Sequence, residues 1–114
     1  LGLSLKDLYE KQVRFQINLL EKKAINPVVL PVDSTHWFKY HCLAMVEEMG
    51  ELLSSDKRWK THRNEKYDLD EKKKEIADVI ITAINISIYS GITADELTTI
   101  IFDKIQENSD KLSK

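Results

Sequence analysis

Apolar positions recur at three- and four-residue intervals in four stretches of the chain, and no stretch alternates with the period of two that marks a strand. The first, SLKDLYEKQVRFQINLLEKK, predicts a helix capped by Ser4 with Asp7 three residues on, and an apolar stripe of Leu5, Leu8, Phe15 and Leu19. Gln12 sits in the middle of that stripe. AINPVVLPVDST follows, where Pro27 and Pro31 forbid a helix and predict a loop. A second helix is expected from about Thr35 to Ser55, with Phe38, Cys42, Met45, Met49, Leu52 and Leu53 as its stripe. The polar stretch SDKRWKTHRNEKYDLD separates it from the third, which runs through EIADVIITAINISIY to Gly91, a C′ residue. Thr93 and Glu96 fit a capping box for a fourth helix ending near Leu112. These elements predict a single all-α domain over residues 1–114, folded as a four-helix bundle.

The third helix has an inverted pattern. At about 100° per residue, Glu75, Asp78, Thr82, Asn85 and Tyr89 fall within an arc of roughly 80°. The rest of its circumference is almost wholly Ile, Val and Ala. A surface helix shows the reverse, a narrow apolar stripe on a polar cylinder. The expectation is a buried helix with a polar seam that must face something polar.

Composition narrows the function classes. A hydrophobic share of 42% allows a packed core, and a formal net charge of −2 offers no electrostatic case for nucleic acid or acidic membranes. Glu75 and Asp78 interrupt the only apolar run that approaches the ~20 residues of a membrane span. With a single cysteine, Cys42, and no leader pattern, the expected compartment is the cytoplasm.

The candidate chemistry lies in two pairs of acids. Glu48 and Glu51 on the second helix are i, i+3 neighbours at the rim of its apolar stripe, while Glu47 points away from that stripe. Glu75 and Asp78 have the same spacing on the third helix. Packing the two helices together would gather four like charges, which either hold protons or bind a cation. Mg²⁺ suits such oxygen ligands, with Mn²⁺ as an alternative occupant. Spacing alone is a weak signal, because Glu65/Asp68 and Glu107/Asp110 repeat it on what read as solvated faces. A di-iron site would need Glu three residues before His, and His36, His41 and His62 lack it.

EEMGE at 47–51 followed by EIAD at 75–78 resembles the EExxE…ExxD signature of the all-α nucleoside triphosphate pyrophosphohydrolases, which include MazG proteins, dimeric dUTPases and dCTP pyrophosphatases. RWK at 58–60 is similar to the Trp-Lys of the dUTPase and dCTPase branches. KIQENSDK at 104–111 is similar to the late KxxxNxxR motif, with Lys111 in place of Arg. The resemblance implies a MazG-like homo-oligomer, dimer or tetramer, that hydrolyses a nucleoside triphosphate between the α- and β-phosphates. It implies Glu48, Glu51, Glu75 and Asp78 as metal ligands, with Glu48 or Glu51 as general base. Lys60, Lys104, Asn108 and Lys111 become candidates for phosphate contacts. Trp59 is a candidate for stacking on a base, and Gln12, Gln16 and Asn85 for reading its edge or the sugar. A pyrimidine deoxynucleotide, dUTP or dCTP, is the favoured substrate, with broad MazG-like specificity as the close alternative. The rival reading is a non-enzymatic helical module whose apolar third helix is an oligomer interface.

Overall fold

The chain forms α1 (Leu5–Lys22), α2 (Thr35–Ser55), α3 (Leu69–Tyr89) and α4 (Ala94–Leu112) in a computed structural model that describes residues 2–23, 31, 33–60 and 67–113. It is an all-α protein of four helices, with no strand among the described residues. The expected loop at Pro27 lies outside the described residues, as do His62 and Glu65.

Short-range hydrogen bonds set the helix ends. Ser4 Oγ accepts from the Asp7 amide at 3.2 Å and Asp7 Oδ2 accepts from the Ser4 amide at 2.9 Å, so each caps the other's orphan donor. Thr93 and Glu96 repeat the arrangement at α4. Ser34 caps α2 by accepting from the Trp37 amide, and Asp68 Oδ1 accepts from the Asp70 and Glu71 amides at the start of α3. Gly91 stops α3 at φ 74°, a left-handed conformation that only glycine adopts without a steric penalty. The Gly91 amide then donates to the Ile88 carbonyl and the Ile92 amide to the Ser87 carbonyl, the two bonds of a Schellman motif.

Contacts gather the chain into two compact units, Leu1–Asp33 with Ser87–Lys114, and Ser34–Ile86, so the last turn of α3 belongs to the first. In the first unit α1 lies against α4. The buried face of α1 is Tyr9, Gln16 and Leu20, one step round from the expected stripe, and Leu8 and Phe15 are exposed. Polar partners explain the difference. The Tyr9 hydroxyl donates to the Ile92 carbonyl, and the fully buried Tyr89 donates to Gln16 Oε1 at 2.7 Å. An amide and two phenols can be buried only where such partners exist, so they select the face that Leu8 and Phe15 alone would not.

The second unit holds α2 and α3 through Ile86. The seam of α3 is buried at Thr82 and Asn85, as expected for its inner end, but the apolar arc is not all covered: Ile76, Ile80 and Ile81 are exposed, Ile80 by 52%. Phe38, Met49 and Leu53 of the α2 stripe are exposed too.

Tyr89→Phe removes the donor from a buried acceptor and is expected to cost about 1–2 kcal/mol. Thermal unfolding should then fall by roughly 3–8 °C; an unchanged midpoint would show that Gln16 finds another donor.

Candidate metal centre

Glu48 and Glu51 are one turn apart on α2, and Glu75 reaches the same point from α3. One carboxylate oxygen from each lies within 4.8 Å of the other two. Glu48 and Glu75 are half-buried and Glu51 is exposed, so the group is open on one side. A hollow of about 520 Å³ beside it is lined by Glu51 and Glu75 together with Glu47, Glu71, Ser54 and Ser55. Glu47, exposed and outside the set of three, borders the same hollow as Glu51, its i+4 neighbour.

Electrostatics make this arrangement costly without a cation. Loss of solvent raises the proton affinity of Glu48, and the charges of Glu51 and Asp78, a hydrogen bond shared with Glu51, and the charge of Glu75 add to it. Glu75 is raised first by desolvation, then by Glu51, Asp78 and Glu71. Glu48 Oε2 and Glu75 Oε2 are shielded from solvent with no hydrogen-bond partner. Buried carboxylate oxygens of native proteins are normally satisfied. Two left over beside a third carboxylate fit a hard divalent cation that takes oxygen ligands. Asp78, one turn beyond Glu75, is exposed and outside the set of three, yet its charge acts on both Glu48 and Glu75.

The other expected site residues divide between the units. Trp59 and Lys60 belong with the carboxylates. Trp59 is exposed and lines a groove of about 780 Å³ with Met49, Leu52, Leu53 and Ile76, and Lys60 Nζ lies 5.4 Å from its ring centroid. Gly50 borders both groove and hollow, so the two adjoin across α2. Asn85 is buried two turns beyond Asp78. Gln12 and Gln16 are on α1 in the first unit, where Gln16 is occupied by Tyr89. Lys104, Asn108 and Lys111 are on the exposed end of α4; both lysines pair with Glu107, at 3.6 and 3.3 Å. Sequence reasoning passed over Asp56, Arg58 and Lys72, which border the Trp59 groove. The only signal for them is the i, i+2 spacing of Asp56 and Arg58 at the end of α2.

The chain is all-α with three converging carboxylates, and comparison with known proteins supplies its class. The family model described as dUTPase matches residues 4–113. The chain belongs to the dUTPase family, whose activity is hydrolysis of nucleoside triphosphates. Neither the curated proteins nor the solved structures gave a match.

The raised proton affinity of Glu75 has a testable sign. A folded-state pKa above the unfolded value means that stability is lost as pH rises through that interval. In a chelating buffer at pH 7.5, Glu75→Gln is expected to unfold a few degrees above the parent chain, with the gap closing near pH 4.5. Equal midpoints at both pH values would show that the carboxylates do not strain one another.

Proposed function

We propose that this chain is a Mg²⁺-dependent nucleoside triphosphate pyrophosphohydrolase that cleaves between the α- and β-phosphates. The products are the monophosphate and pyrophosphate, and the favoured substrate is a pyrimidine deoxynucleotide, dUTP or dCTP. The observation that carries the reading is the convergence of Glu48, Glu51 and Glu75 with two solvent-shielded, unpartnered oxygens. Family membership supplies the reaction class.

Glu48, Glu51 and Glu75 would hold the cation, with Asp78 adding negative charge from the next turn. Mg²⁺ there supplies charge for the phosphate oxygens and lowers the pKa of a water. A carboxylate of the α2 pair, Glu48 or Glu51, accepts the proton of the attacking water. Trp59 offers an exposed ring face for a base, and Lys60 beside it a positive charge for a phosphate. The case for Gln12, Gln16, Asn85, Lys104, Asn108 and Lys111 in substrate binding rests on the resemblance alone.

The reading includes self-association. Phe102, Ile105, Val46 and Leu43 are exposed by 60–70% each, more large apolar surface than a lone small chain usually shows. That surface equally suits a helical module without activity, which the assay separates. No single helix among the described residues is long and apolar enough to cross a membrane.

With Mg²⁺, the protein is expected to release pyrophosphate from dUTP or dCTP. Glu51→Gln and Asp78→Asn should each lower turnover by roughly 100-fold or more while helical circular dichroism is retained. Full turnover in both variants contradicts the site. Sedimentation should give a mass above one chain, shifted toward the monomer by Phe102→Glu with Ile105→Glu; a monomeric parent contradicts the oligomer.

A further inference from the structure

Asp56 ends α2, and only 12% of its side chain reaches solvent. Its Oδ1 accepts from the Arg58 amide at 3.2 Å and from Arg58 Nε at 2.8 Å. Its Oδ2 accepts from Arg58 Nη2 at 2.7 Å and from Lys72 Nζ at 2.8 Å. The Arg58 guanidinium in turn lies over the Tyr67 ring, 3.5 Å from its centroid, with Lys72 Nζ 5.3 Å from the same centroid. One carboxylate thus ties together the end of α2, the turn beyond it, and the entrance and first turn of α3.

An exposed ion pair alone contributes little to stability. This one is forked and joined by a backbone amide, so its strength lies in fixing direction. What it fixes is functional surface. Trp59 and Lys60 follow Arg58 directly, in a turn closed by the Lys60 amide donating to the Lys57 carbonyl at 3.0 Å. Lys72 lies one turn before Glu75 on the same face of α3. The groove lined by Trp59 takes Asp56, Arg58 and Lys72 as its polar edge.

We propose that Asp56 is a positioning residue, holding the turn of Trp59 and Lys60 beside the carboxylate hollow so that a nucleoside triphosphate meets a preformed groove wall. The inference rests on the pyrophosphohydrolase reading above. Without the clamp the turn must be ordered by the substrate, a cost that falls on binding rather than on the chemical step. The carboxylates themselves stay in place, so turnover at saturation persists.

Two variants test it. Asp56→Asn keeps size and loses charge; Lys72→Met removes the long-range link, and the Lys72 charge near the Tyr67 ring with it, from a side chain 30% exposed. Pyrophosphate release from dUTP with saturating Mg²⁺ should show KM raised about tenfold in Asp56→Asn and less in Lys72→Met, with kcat within about twofold. Mn²⁺ affinity should be unchanged. Trp59 fluorescence anisotropy, read in a Trp37→Phe background, should fall as the ring loses its fixed place. Unchanged KM in both variants overturns the proposal, and so does a loss confined to kcat or to Mn²⁺ affinity. If Asp56→Asn does not fold, Lys72→Met decides by the same criteria. A parent chain that hydrolyses no triphosphate refutes the enzymatic reading instead, and the Trp59 anisotropy then judges the clamp: no fall in either variant refutes it.

Discussion

Mutual repulsion among carboxylates is the constraint on which the rest of the second unit depends. Glu48 and Glu51 are fixed one turn apart by α2, and α3 brings Glu75 to within 4.8 Å, with Asp78 close enough to act on two of them. In water such charges would separate. Here two of the oxygens have neither solvent nor a hydrogen bond. A chain that needed only a stable helix pair would place apolar or paired residues at that position. A divalent cation there would offset the repulsion among the three acids.

The apolar surface follows a related logic. Residues that a bundle would bury, among them Ile80 on α3, Val46 on α2 and Phe102 on α4, face outward, while Gln16, Thr82, Asn85 and Tyr89 are inside. Buried polar groups must be matched individually, as Tyr89 and Gln16 are. Exposed apolar groups need only another apolar surface, and the self-association proposed above would provide one.

Local signals were the legible part of the fold. The capping pairs Ser4/Asp7 and Thr93/Glu96, the span of α2 and the stop at Gly91 rest on neighbours in sequence, and the structure has them as read. Which face each helix buries depends on partners far along the chain, and there periodicity misled: Leu8 and Phe15 were read as core, yet Tyr9 and Gln16 take that place through bonds to Ile92 and Tyr89. At the candidate site a polar seam on the apolar α3 singles out Glu75 and Asp78, and of the four acids expected together Glu48, Glu51 and Glu75 come within 4.8 Å of one another while Asp78 stays outside the set. Glu47 is exposed and outside the set of three, in keeping with its place away from the α2 stripe, and it also borders the hollow. The Asp56 clamp was invisible, because a link between Asp56 and Lys72 crosses a connection whose path no periodicity describes.

Calorimetric titration of the chelator-treated protein with Mn²⁺ tests the central claim most directly. Saturable binding in the parent chain that is lost or greatly weakened in Glu48→Gln, with the helices intact, is the predicted result. Absence of binding, or binding that Glu48→Gln leaves untouched, would contradict it.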